Sequence, residues 1–189
     1  LNQGTSGNLS VRCEAGFLIT PASMDYAGMA TDDIVQMDLD GHHQGQRKPS
    51  SEWRFHAAIY RHRAEVHAVL HAHPANCSAL ACLNKGIPAF HYMVAVAGGR
   101  DIRCADYATF GTAELSESVI RALRDRKACL MAHHGLTCIE RDLPRALALA
   151  IEVENLANVY CHILAIGEAE ILPDDEMDRV LEKFSHYRG

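Results

Sequence analysis

The 189-residue sequence contains no C-x-x-C pair, and its seven cysteines are an odd number. That excludes both a fully paired disulfide framework and a zinc ribbon, and the apolar neighbours of most of the cysteines are those of reduced core residues. A basic surplus is also missing. Eighteen Lys and Arg against 24 Asp and Glu give a formal charge of -6, which argues against a protein that tracks a nucleic-acid backbone by displacing counterions. The densest basic group, Arg121, Arg124, Arg126 and Lys127, is flanked by acidic residues and reads as a solvated helix face. There is no signal peptide and no apolar run of bilayer-spanning length, so the expectation is a cytoplasmic protein without a membrane partner. Internal repeats and low-complexity stretches are absent, and the longest loop-like segment, Asp38 to Pro49, is too short to link two domains. With 48% hydrophobic residues, the expectation is one domain over 1–189 around one core. The opening Leu1-Asn2-Gln3-Gly4 lacks an initiator methionine and reads like the middle of a domain, as if an N-terminal element were missing.

What is present alternates between strand and helix patterns. Short β-prone runs at Leu9 to Arg12, Phe17 to Thr20 and Ile34 to Asp38 are bounded by Gly, Pro, Asn or Asp. Helical spacing starts at Ser51 and runs to Arg63, with Ser50 or Ser51 as the expected N-cap. Val66 to His73 has the small and branched residues of a buried strand, and Pro74 opens a helix through Leu83. Further helices are expected at Thr112 to Arg126, Leu143 to Ile166 and Pro173 to Phe184, with a strand at Ala128 to Ala132. The pattern predicts an α/β protein with a central sheet flanked by helices.

Chemistry concentrates in the histidines. In His71-Ala72-His73, residues two apart on a strand project to one face, a spacing that suits two ligands of one metal. A chain with 12 histidines also produces such pairs by chance, so the motif alone is not decisive. His133-His134-Gly135 follows a second apolar strand and supplies a third ligand at another strand end, where sites are built. Of that pair His134 is the expected ligand and His133 a packing or supporting residue. Three neutral imidazoles leave the charge of a divalent ion uncompensated and a coordination position open, the arrangement of a catalytic metal. Zinc suits imidazole best, with cobalt, nickel or manganese as alternatives.

Glu52 stands at the start of the helix that precedes the His71 strand. A carboxylate there is commonly only a partner of the helix dipole, but beside a three-histidine metal it is a fourth ligand or a proton-transfer base. The glycine-punctuated segment Gly4 to Ser10 matches neither a Walker A loop nor a dinucleotide fingerprint. With Ser50 and Ser51 at a helix N-terminus, it suits a neutral cradle for a phosphate.

These residues lie in ordered blocks: Asn2 to Arg12, Ile19-Thr20-Pro21, Pro49 to His56, His71-Ala72-His73, Ile87 to Met93, Tyr107 to Thr112 and His133 to Leu136. Together they resemble the class II aldolase/adducin family over nearly the whole chain. The resemblance implies a three-layer α/β/α fold with a central mixed sheet, assembled as a homotetramer with active sites between subunits. It implies that Gly7, Asn8, Ala22, Ser23, Ser50 and Ser51 hold a substrate phosphate, and that His71, His73 and His134 hold Zn2+, with Glu52 displaced from the metal by substrate. Tyr92, from an adjacent subunit, resembles the acid acting on the aldehyde oxygen, and Tyr187 a second mobile tyrosine. The implied reaction is cleavage of a ketose 1-phosphate, foremost L-fuculose 1-phosphate, to dihydroxyacetone phosphate and an aldehyde such as L-lactaldehyde. Two departures stand out: the family's N-terminal helix would precede Leu1, and Ser23 replaces an expected glycine.

Rival readings share the scaffold. Aldolases of 5-deoxypentulose or methylthiopentulose 1-phosphates would keep the same residues, and a methylthioribulose-phosphate dehydratase is another reaction on this scaffold. A ribulose-phosphate 4-epimerase resembles the sequence less well, because Glu52 stands where those enzymes carry Asp. A non-catalytic scaffold of the adducin type would not need His71, His73, His134 and Glu52 together.

Overall fold

Branched and small apolar residues in runs of four to six give strands only where both faces find a partner, and here a single sheet supplies it. The computed structural model describes residues 1–2 and 4–187, without the side chain of Tyr187. The strands are β1 (Asn8–Cys13), β2 (Gly16–Ile19), β3 (Val35–Met37), β4 (His43–Gln44), β5 (Ala68–Ala72), β6 (Arg103–Ala105), β7 (Ala128–Met131) and β8 (Gly135–Glu140). The helices are α1 (Trp53–His62), α2 (Ala75–Cys82), α3 (Ala113–Ala122), α4 (Leu143–Ile166) and α5 (Asp174–Tyr187). The strand order is β4-β3-β2-β1-β5-β8-β7-β6. Every pairing is antiparallel except that of β6 with β7, so the sheet is mixed, as expected.

Central β5 is buried on both faces and divides the core. Ala68, Leu70 and Ala72 face a cluster with Leu80 of α2, Val153 of α4 and Met177 of α5. Val69 faces the other cluster, with Phe55 and Ile59 of α1 and Leu115 and Val119 of α3. Helices therefore cover both faces, giving the three-layer α/β/α architecture that the sequence predicts.

Several expectations are corrected. Neither Ser50 nor Ser51 is the N-cap of α1: Glu52 occupies that position, with Ser50 Oγ accepting a hydrogen bond from its backbone N–H at 3.3 Å. Strands β4, β6 and β8 were not predicted, because two of them are three residues or fewer and β8 follows His134 without turn punctuation other than Gly135. The expected absence of a bilayer-length apolar run is also corrected. Among the described residues α4 alone is long and apolar enough to cross a membrane by length and composition. One face of it packs in the core, where Leu149, Val153 and Leu156 are at most 4% exposed, while Leu147 and Ile151 on the other face are exposed. All seven cysteines are free; Cys77, Cys129 and Cys138 are buried and Cys82 is exposed.

Candidate metal centre and active-site cleft

Sheet register brings the candidate residues together. Asn8 of β1 lies opposite His71 of β5, which lies opposite Thr137 of β8. His73 follows the end of β5, and His134 sits in the three-residue turn that closes β7 onto β8. Gly135 permits the close approach: a Cβ there would lie 2.5 Å from the Ala72 carbonyl and 2.9 Å from the His73 ring. His71, His73 and His134 each present one ring nitrogen, and these nitrogens all lie within 4.8 Å of one another.

The protonation pattern favours a cation between them. Leu136 O lies 2.9 Å from His71 Nδ1, so a neutral His71 donates from Nδ1 and leaves a lone pair on Nε2. That lone pair is 2.9 Å from His73 Nε2 and 3.2 Å from Glu52 Oε2, a convergence of potential ligand atoms around which an ion with bonds of about 2 Å could be held. Glu52 is 7% exposed. Its Oε1 accepts no hydrogen bond although His134 Nε2 is 3.2 Å away. An unsatisfied buried carboxylate oxygen costs upwards of about 1–3 kcal/mol, so the donor set fits a divalent cation.

Electrostatics agrees. Burial, followed by the neighbouring His71, lowers the His134 pKa to about 4, and the same causes lower that of His73. Burial alone would raise the Glu52 pKa, but His71, His134 and Asn8 outweigh it and hold the carboxyl at about 2. Near neutral pH His73 and His134 are thus neutral beside an ionised Glu52.

A pH prediction follows. His134 and the buried His56, which burial lowers to about 3, bind protons less readily folded than unfolded. Their stability contribution is complete above pH 6.5 and is lost as pH falls through the window down to these values. Each group contributes a slope of up to about 1.4 kcal/mol per pH unit. The metal-free protein is expected to show a falling Tm from pH 6.5 to 4.5 in thermal scans; a flat Tm there would contradict this assignment.

Beside the cluster lies a cleft of about 380 Å³. Gly7, Asn8, Ala22, Ser23, Ser50 and Ser51 line it, together with Glu52, His73 and His134, and no Lys or Arg does so among the described residues. Gly7 has φ 76, and a Cβ on it would come within 2.5 Å of the His71 carbonyl, so glycine is required where the loop crosses β5. Asn2 ties the loop down, donating to the Ser6 carbonyl at 2.6 Å and accepting from the His73 N–H at 2.7 Å. Ser23, in place of the expected glycine, has φ 56, a conformation costing about 1 kcal/mol in a residue with a Cβ.

Other residues fall elsewhere. Tyr92 does not line this cleft; it is 52% exposed and stacks on His91. The side chain of Tyr187 lies outside the described residues. His133 does not pack inside. It is exposed with φ 54, meets Tyr107 edge-on at 5.7 Å and lines the cleft. Exposed Tyr107 and Phe110 also line the cleft. Sequence reasoning assigned them no role, nor did it assign one to Asn2 or to the Leu136 carbonyl that orients His71.

The fold and the site define a class II aldolase: residues 1–161 match the family described as Class II Aldolase and Adducin N-terminal domain, and the chain belongs to that family. It is accordingly a lyase acting on a sugar phosphate. The chain is 57% identical over 187 residues to a 5-methylthioribulose-1-phosphate/5-deoxyribulose-1-phosphate aldolase of Rhodospirillum rubrum, covering 99% of this chain and 85% of the relative. It is 52% identical over 188 residues to an L-fuculose phosphate aldolase of Escherichia coli, covering 99% and 87%. A solved L-fuculose 1-phosphate aldolase superposes with a TM-score of 0.94 at 42% identity, covering 98% of this chain and 88% of that one.

Proposed function

We propose that this chain cleaves a ketose 1-phosphate, L-fuculose 1-phosphate first, into dihydroxyacetone phosphate and a short aldehyde, L-lactaldehyde in that case. The observation that carries this reading is Glu52 buried between His71 and His134, beside a neutral, hydroxyl-lined cleft. A second reading, cleavage of 5-deoxyribulose or 5-methylthioribulose 1-phosphate, is favoured by the relative at 57% identity. Both products would leave a methyl or thiomethyl end to be covered, for which the exposed rings of Tyr107 and Phe110 are suited.

Gly7, Asn8, Ala22, Ser23, Ser50 and Ser51 hold the phosphate through N–H and hydroxyl donors, close to the N-terminus of α1. His71, His73 and His134 hold zinc, which when bound supplies a fixed positive charge against the substrate oxygens. Glu52 moves the proton. In condensation it takes one from the hydroxymethyl carbon of dihydroxyacetone phosphate, leaving the electron pair in the enediolate; in cleavage it returns that proton to the same carbon. Tyr92 of a neighbouring copy exchanges a proton with the oxygen of the aldehyde, and Tyr187 is a second tyrosine of the site. A homotetramer accounts for the exposed apolar surface of Leu147, Ile151 and Tyr92.

The test is release of dihydroxyacetone phosphate by the zinc-loaded protein from L-fuculose 1-phosphate, 5-deoxyribulose 1-phosphate and 5-methylthioribulose 1-phosphate. Release is expected, and the ratio of kcat/KM values chooses between the readings. No release from any of the three, with zinc bound, would favour epimerase or dehydratase chemistry.

A further inference from the structure

Behind the cleft, four side chains that do not all reach substrate form a continuous buried chain. His56 lies on α1 one helical turn beyond Glu52, with 0% of its surface exposed, and stacks on Phe55 at 4.4 Å. Its Nε2 is 2.5 Å from Asn8 Oδ1, and its Nδ1 is 2.6 Å from Ser10 Oγ. Ser10 Oγ is in turn 2.8 Å from the Tyr60 hydroxyl, and Asn8 Nδ2 donates to Glu52 Oε2 at 3.0 Å.

Donor and acceptor chemistry fixes the direction of every bond. A carboxylate only accepts, so Asn8 turns its amide NH2 toward Glu52 and its carbonyl toward His56. That carbonyl also only accepts, so the neutral imidazole carries its proton on Nε2. Nδ1 is then a lone pair, Ser10 donates to it, and Tyr60 donates to Ser10. Four donors in series point toward one carboxylate oxygen, and chains of this kind strengthen one another in a buried setting. The two oxygens of Glu52 are therefore unlike: Oε2 is tethered, whereas Oε1 accepts no hydrogen bond.

We infer that His56 is a positioning residue for the proton step: through Asn8 it tethers Glu52 Oε2 and leaves Oε1 as the oxygen that takes and returns the proton. The inference rests on the aldolase reading above. His56 does not line the cleft, and its effect reaches the substrate only through Asn8 and Glu52. The i, i+4 spacing of Glu52 and His56 on α1 places both on the same side of the helix.

The experiment compares wild type, His56→Phe and His56→Gln as zinc-loaded proteins. Exchange of the hydroxymethyl proton of dihydroxyacetone phosphate in D2O, followed by NMR without aldehyde, reads the proton step directly. His56→Phe keeps an aromatic ring in the slot but removes both hydrogen bonds. It is expected to keep stoichiometric zinc and a KM within about threefold, while exchange and kcat fall about 10- to 100-fold, the scale of a misplaced reacting group. His56→Gln restores an N–H toward Asn8 and is expected to recover most of the exchange, a rescue that a purely structural role would not give. Wild-type exchange with an unimpaired His56→Phe overturns the inference alone, as does a His56→Gln no faster than His56→Phe. Absence of exchange in the wild type contradicts the aldolase reading itself. If His56→Phe does not fold, Ser10→Ala decides, since it frees the imidazole to change tautomer. A loss in exchange of about three- to tenfold supports the inference, and an unchanged rate overturns it.

Discussion

Glu52→Gln is expected to keep one divalent ion per chain and to lose about a thousandfold in turnover. Glutamine has the shape of the carboxylate and can still accept from Asn8 Nδ2, which now reaches Glu52 Oε2 at 3.0 Å. The three imidazoles, with ring nitrogens within 4.8 Å of one another, remain to hold the metal. What disappears is a base of pKa about 2 in the unloaded site. General acid–base catalysis is worth roughly 10²–10⁴-fold, or about 3–5 kcal/mol of barrier. Steady-state cleavage kinetics with metal analysis of the same sample checks this, and an unchanged kcat would remove Glu52 from the mechanism.

His134→Ala is expected to remove metal and activity together, whereas His133→Ala keeps both. The two residues are adjacent, but the turn separates them. Backbone φ at His133 is 54, which directs its ring to the edge of Tyr107. The His134 ring, in contrast, stands 4.7 Å from that of His71 and 4.9 Å from that of His73. Loss of even an outer partner of a metal ligand lowers affinity about 10–100-fold, so loss of a ligand itself costs more. Metal content after dialysis separates the cases; a His133→Ala protein without metal and a His134→Ala protein that keeps it would reverse the assignment.

The histidine cluster was legible because both of its halves sit where strand ends are visible. His71 and His73 have the period of a strand, and His134 follows the apolar run Ala128–Met131. The three-layer fold was legible for a similar reason, since helices such as α4 carry long apolar patterns. Short elements were not. The pairing of β8 with β5 aligns Thr137 with His71, a contact 66 residues apart that no local pattern encodes. Glu52 illustrates a partial reading: its placement near the histidine cluster was expected, but its position at the N-cap of α1, in place of the serines, was not, and its carboxylate turns to His71 and His134 without capping the helix. The chain from Tyr60 to Asn8 was invisible for a third reason, because it joins β1 to α1 across 46 to 50 residues. Only the four-residue spacing of Glu52 and His56 hinted at it. Tyr107 and Phe110 are likewise loop residues whose exposure beside the cleft needed the fold to be seen.

The most direct measurement is dihydroxyacetone phosphate release from the best of the ketose 1-phosphates, before chelation, after metal removal and after zinc is returned, with metal content determined at each stage. The expected result is about one zinc per chain, release that stops when it is removed, and recovery when it is restored. Release that continues at full rate from metal-free protein would contradict it.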